Sequence, residues 1–334
     1  MDRPCQKIPT TASFNQFAKM IDFSKAIGNA WDRSEELLFR PFDLNKWLVL
    51  GFCAWLASYM GAGYSSGRYG NYAGHQNGKS GYDINQFKHS IHDFLQHTLG
   101  PEWKVILVAL IVILVLVLLL LTLLLAWLGA RGQFMLLDNL VQRRFKVAQP
   151  WCEQGALADR FFFFYLVFLM LWIGFVLLLV GGSLLICWPY LWQHKPWSWW
   201  SLPPLLAIFL VFIGSVIIVG VFFRLLLEFG IPIMYRTRCG TREACRRVWK
   251  LMTTHPLDCF VYLLVRLVIG VVSVLLALLA GCCTCCIGFL PYVHSVITLP
   301  LPVFRIYFTL DCLARLDPEY DLWSLAGDER QQVI

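Results

Sequence analysis

The 334-residue chain is 58% hydrophobic and only 15% charged, with 25 Phe and 14 Trp, a balance that excludes an ordinary soluble globule, in which about a quarter of residues are charged. Its net charge of +7 does not point to nucleic acid, because the basic residues bunch on alternate connections between apolar runs and no nucleic-acid-binding motif is present. Twelve cysteines, most of them in or beside apolar runs where small thiols commonly bury, argue against a secreted disulfide scaffold.

No apolar stretch near the start resembles a cleavable leader, so residues 1–44 read as a retained cytoplasmic arm. Within it, DFSKAIGNAWDRSEELL (22–38) has helical spacing, with Phe23, Ile27, Ala30, Trp31, Leu37 and Leu38 on one face and the charges elsewhere. This segment should lie along the inner membrane surface. Pro41 ends it, and Asp43 is placed to cap the next helix. The first apolar run, NKWLVLGFCAWLASYMGAG (45–63), is the least apolar of six, and reads as a crossing or as a re-entrant segment. An outer loop, 61–102, opens with seven glycines among tyrosines, a flexible spacer or an adhesive surface for glycan or a partner. It continues with a short amphipathic helix carrying His89, His92 and His97, of which His97 is out of phase for a shared metal site.

A hydrocarbon core of about 30 Å takes roughly 20 residues of helix. The second run starts near Trp103 and is strongly apolar from Val105 to Leu128, the third spans Phe161–Trp188, and the fourth runs from Leu202 to about Leu227. Between the second and third, FMLLDNLVQRRFKVAQPW reads as a weaker inner-surface helix. After the fourth comes TREACRRVWKLM, which Thr241 can cap, with an apolar stripe of Ala244, Val248, Trp249 and Met252 and cations at Arg242, Arg246, Arg247 and Lys250. Pro256 then marks a break before the fifth run, Leu257–Cys282. The sixth, Leu290–Leu313, is interrupted by Pro300 and Pro302, and a tail, 316–334, follows. The expected fold is therefore an all-α integral membrane protein: a six-transmembrane-helix bundle over 45–315 with amphipathic interfacial helices.

Charge fixes the orientation. Lys and Arg number seven in the arm to Lys46, five in 129–160, six in 228–254 and two after Cys312. The alternate connections 61–103, 190–203 and 283–298 hold three, one and none. Basic connections stay in the cytoplasm, so the chain is expected in a cell inner (plasma) membrane, multi-pass, with both termini cytoplasmic. Trp197, Trp199 and Trp200 would sit in the outer headgroup belt. The expected partners are membrane lipids, anionic at the inner face, together with another membrane protein or a second copy of the chain.

Charges inside the apolar runs are the site candidates. Arg224 and Glu228 are four apart and share a helix face; Arg266, Arg305 and Asp311 lie in the last two runs. They either pin helix ends together or line a polar cavity open to the cytoplasm for an anion, a lipid headgroup or a proton. The run Cys282, Cys283, Cys285 and Cys286 allows packing, a disulfide or, through Cys282, Cys285 and Cys286, a weak metal site. No cofactor motif, nucleophile elbow, P-loop or HExxH is present, so no enzyme is expected. An accessory or scaffold protein is the first functional expectation; a small transporter or lipid-handling permease using the polar cluster is the alternative.

Three stretches, AWDRSEELLFRPFDLNKWLVLGF, RGQFMLLDNLVQ before PW, and EFGIPIMYR before VWKLM, with the terminal DPEYDLW, carry a resemblance. Together they resemble a functionally uncharacterised family of polytopic bacterial membrane proteins, over about residues 22–323. The resemblance implies characteristic positions at Arg40, Pro41, Phe42, Asp138, Glu228, Pro232, Arg236, Glu319 and Asp321, with Glu228 standing where an aspartate is implied. It implies no activity.

Overall fold

The computed structural model describes residues 22–60, 103–191, 202–283 and 291–323. All regular structure among them is helical. In chain order the α-helices are α1 (Phe23–Phe39), α2 (Leu44–Ser58), α3 (Trp103–Gln142), α4 (Ala148–Leu191), α5 (Leu202–Leu225), α6 (Ile231–Thr237), α7 (Thr241–Thr254), α8 (Pro256–Cys283), α9 (Pro291–Ile297) and α10 (Pro300–Leu316).

Four of these, not six, are long and apolar enough to cross a membrane: Val105–Gln142, Ala148–Trp188, Pro203–Thr237 and Pro256–Ala280. The first expected crossing is corrected by length, since α2 has 15 residues and at 1.5 Å per residue reaches about 22 Å, short of a hydrocarbon core. The last is corrected by proline: the chain breaks between Ile297 and Pro300, leaving α9 with 7 residues and α10 with 17. The most apolar stretches of α3, α4 and α5 contain no buried residue, so their side chains face outward, as lipid-facing positions do. The shared hydrophobic core lies instead along the basic ends of these helices. It joins Phe134, Leu136, Leu140 and Phe161 to Leu225, Phe229, Ile233, Tyr307 and Phe308.

Close approach fixes how α2 enters this core. A Cβ on Gly132 would lie 2.6 Å from the Ala57 nitrogen, and one on Gly129 would lie 2.5 Å from the Met60 nitrogen. The two glycines, three apart, thus let the backbone of α3 meet that of α2 directly. On the other side of α2, a Cβ on Gly51 would meet Val296 of α9 at 2.6 Å.

The expected α1 forms, but rotated. Its buried residues are Ala26, Ala30, Ser34, Leu37 and Leu38, whereas Trp31 is 64% exposed. Small side chains bring α1 close to α10, and the Trp31 ring only reaches the edge of Phe304 at 6.4 Å. Asp43 does cap α2, accepting from the Asn45 amide at 2.9 Å. The C-terminal carbonyls of α1, which no helical donor can reach, are met by α2: Lys46 Nζ donates to the Leu37 oxygen at 3.1 Å and Trp47 Nε1 to Leu38 at 3.0 Å, and Lys46 also holds the Pro41 oxygen of the connecting turn at 3.2 Å. At the other end Asp22 caps α1, and its bonds to Lys25, backbone amide first, hold its carboxyl below the usual aspartate range. A depressed pKa stabilises the turn above the unfolded pKa. That contribution is lost as pH falls through the folded value. Amide exchange at Lys25 should accelerate relative to mid-helix α1 as pH is lowered through that window, and an unchanged ratio would contradict the cap.

Three expectations on the basic connections are corrected. FMLLDNLVQ is not a separate surface helix, because Phe134–Gln142 continue α3 and bury Phe134, Leu136, Leu137, Leu140 and Val141 in the core. Thr241 is the first residue of α7 and not its cap; Gly240 stands there with no side-chain bond. The buried stripe of α7 is Thr241, Ala244, Val248 and Leu251, which leaves Trp249 outside. Pro256 does start α8, as expected.

The described parts of both termini sit with the two basic connections. Arg143 pairs with Glu36 at 3.0 Å, Arg247 with Glu319 at 3.1 Å, and the Arg33 guanidinium lies 3.8 Å over the Trp323 ring. The Gly/Tyr loop, the three histidines and the side chains of Cys282–Cys286 fall outside the described residues.

Candidate functional site

Glu228 is the centre of the site, and local sequence explains its placement. Pro232 has no amide hydrogen to give the carbonyl four residues back, and its ring clashes with that carbonyl in a regular helix. The carbonyl is that of Glu228. The chain widens there into a π-helical turn, Leu226–Gly230, between α5 and α6, a local form often found at functional sites. The turn carries Glu228 fully inside, with no exposed surface.

Three side chains converge on it, with Thr309 behind one of them. Arg224 Nε donates to Oε1 at 2.7 Å, and an Arg266 terminal nitrogen lies 2.9 Å from the same oxygen. Tyr262 donates to Oε2 at 2.6 Å, and its hydroxyl is 2.9 Å from Thr309 Oγ1. Thr309 in turn donates to the Arg305 carbonyl at 2.9 Å. Tyr262 is sandwiched by Phe229 at 4.7 Å and Phe308 at 5.8 Å, which seals this carboxylate from water.

Of the five sequence candidates, four are brought together: Arg224, Glu228, Arg266 and Arg305. Asp311 is not. It accepts from Arg315 one turn further on α10 at 2.6 Å and from Asn29 of α1 at 3.3 Å, so it fastens the surface layer and leaves Arg305 to the cluster. Sequence reasoning missed Tyr262 and Thr309. Tyr262 lies four residues before Arg266, and with Cys259, Ser273 and Ala277 it forms a buried stripe along α8.

The three arginines line a cleft of about 640 Å³ between α5 and α8, with Arg305 contributed by α10. The remaining lining is Gly220 and Val221 of α5 and Leu263, Leu267, Gly270, Val271, Ser273, Val274 and Leu275 of α8. Glu228 is set behind Arg224 and Arg266, outside this lining. The cleft wall therefore shows three guanidinium groups and no carboxylate, in a chamber whose size suits a small ligand. Such a wall attracts anions, and its apolar extent suits a hydrocarbon chain.

A second buried network ties the bundle ends together. Asp138 of α3, fully buried, accepts from Tyr235 at 2.8 Å and from Gln154 at 2.9 Å, and Arg238 donates to Gln154 at 2.6 Å. A third bracket joins α3 to α4. Arg131 reaches both oxygens of Asp159 at 3.1 and 2.8 Å and lies 4.4 Å from the Trp127 ring and 4.8 Å from Trp151. Among the described residues no group of three or more His, Cys, Asp or Glu is placed to hold a metal ion.

A family of unknown function, DUF7544, matches residues 22–293. The chain belongs to that family. Arg40, Pro41, Phe42, Asp138, Glu228, Pro232 and Arg236 lie inside the match, while Glu319, Asp321 and the DPEYDLW stretch lie past its end. Glu228, Pro232 and Asp138 are thus family-region residues with a physical role in this chain: two buried carboxylates and the proline that positions one of them. No curated protein and no solved structure matches the chain. Function is unknown for the family and for this member.

Proposed function

We propose that this chain is a lipid-handling membrane protein that binds an amphiphilic anion in the cleft between α5 and α8. The observation that carries the reading is the wall itself: Arg224, Arg266 and Arg305 line an otherwise largely apolar chamber between spanning helices, with Glu228 set behind Arg224 and Arg266. A buried Arg costs about 2.5–3.5 kcal/mol on an insertion scale. Glu228 offsets that for Arg224 and Arg266, and the side of the cleft open to a ligand carries guanidinium groups without a carboxylate in its lining. The reading is one of binding and transfer, without catalysis, cofactor or nucleic acid.

The membrane is a cell inner membrane in this reading, with the basic end of the bundle in the cytoplasm. Its support is the sharing of Lys and Arg between alternate connections. The exposed aromatic residues of the basic end, Trp31, Phe39, Phe42 and Trp249, with exposed Arg246 and Lys25 beside them, suit an anionic leaflet surface. The same surface is what a scaffold or accessory role would use toward a membrane-protein partner or a second copy.

The test is titration of the full chain in non-ionic detergent with dodecyl phosphate, and with dodecylphosphocholine as the zwitterionic control. The phosphate should bind preferentially, and Arg305→Gln should weaken it by about tenfold, equivalent to 1.4 kcal/mol. Equal binding of the two amphiphiles, or an Arg305→Gln chain that binds as before, would remove the proposal.

A further inference from the structure

The arginine cleft continues past α5. A second groove of about 340 Å³, between α4 and α5, is lined by Tyr165, Phe168, Trp172 and Phe223, and it shares Gly220 and Arg224 with the first. The helical period explains how two grooves meet on one helix. Residues 220 and 224 are one turn apart on the same face; Val221 on one flank lines the first groove, and Val219 and Phe223 on the other flank line the second. What separates the grooves at this level is Gly220, where a Cβ would meet nothing within 4 Å. The divide is bare backbone, a low saddle with a guanidinium one turn away.

A single hydrocarbon chain with an anionic head would fill one groove and leave the other empty. A molecule with one anionic head and two chains matches both grooves and the shared arginine. The second groove also holds a buried donor, Trp172 Nε1, which meets no acceptor among the described residues. A buried donor without a partner is costly, and an ester carbonyl at the head of a chain supplies the acceptor it lacks. We infer that the ligand is a double-chain anionic phospholipid that straddles α5, its phosphate on Arg224 and one acyl chain in each groove. This rests on the anion-binding reading above and narrows it to a lipid class.

Native mass spectrometry of the full chain, released from non-ionic detergent, tests it with three probes: dioleoylphosphatidylglycerol, its single-chain lyso form, and dioleoylphosphatidylcholine. The two-chain anion should bind about tenfold more tightly than the lyso form. Val219→Trp, which fills the second groove, should abolish that advantage while leaving lyso binding unchanged. Gly270→Trp, which fills the first, should weaken both anions. Leu169→Trp fills the second groove from α4 and replaces Val219→Trp if that chain does not melt cooperatively. Equal affinity for the two anionic probes, or two-chain binding indifferent to a filled second groove, would overturn the straddled arrangement and leave the anion site standing. Anionic probes that bind no better than phosphatidylcholine would overturn both.

Discussion

Glu228→Gln should destabilise the folded chain by about 3–5 kcal/mol, because it removes the one carboxylate that Arg224 and Arg266 share in a buried site. The substitution preserves volume and leaves Tyr262 an acceptor, so the loss is one of charge and not of packing. Arg266 is only 3% exposed, whereas Arg224 is partly exposed and can turn outward. Most of the penalty should therefore come from Arg266. That assignment makes the result separable: Glu228→Gln combined with Arg266→Met, a similar length of apolar chain, should recover much of the stability lost. Thermal unfolding in detergent, calibrated by a denaturant series, reads both. A Glu228→Gln chain that melts with the wild type, or a double variant no better than the single, would mean that the carboxylate does not hold the guanidiniums.

The same cluster shows what a linear reading of the chain reaches and where it stops. The pairing of Arg224 with Glu228 is a four-residue spacing on one helix and is legible from the sequence alone. The pairing of Glu228 with Arg266 spans the whole of α6 and α7, and nothing in either local pattern says that α8 returns beside the π-helical turn. Asp311 looked equally available to Arg305, but Arg315 stands one turn away and takes it. Local pairing wins when both partners ride the same helix, since no chain entropy is spent to bring them together.

Fold followed the same division. Helices α3, α4, α5 and α8 announce themselves as long apolar runs. The failures were on α1, α2 and α7, at the basic end of α3, and at the proline break between α9 and α10. A rule that buries the largest apolar side chains puts Trp31 and Trp249 inward, yet both are exposed, while Ala30, Ala244 and Val248 of the expected stripes are buried and Ala26 and Leu251 join them. In water that exposure of indole would be penalised at about 25 cal/mol per Å². At a headgroup surface an amphipathic ring is at its preferred depth, so the period and most of each stripe were readable and the outward turn of the two indoles was not. Apolar content likewise could not tell α2 from a crossing helix, because its buried contacts are with α3 and α9 at Gly132 and Gly51 and not with lipid.

That junction sets the second large effect. Gly132→Val should destabilise the chain by about 3 kcal/mol or more, at the upper end of overpacking. The reason is what the new Cβ meets: the Ala57 nitrogen and Leu56 Cβ at 2.6 Å and the Leu56 carbonyl carbon at 2.8 Å. Two of those three atoms are backbone of α2 and cannot rotate away, so α2 and α3 must separate. Separation in turn pulls Gln133 from the Ala57 carbonyl it donates to at 3.3 Å and Asn139 from the neighbourhood of Cys53. Gly174 of α4 supplies the internal control, since a Cβ there meets nothing within 4 Å. Gly174→Ala should change stability little or raise it by up to about 1 kcal/mol through helix propensity alone. Opposite signs at two helical glycines, read by the same melting experiment, are what backbone contact at one and open space at the other require. A Gly132→Val chain as stable as the wild type would mean that α2 does not rest on α3 at this crossing.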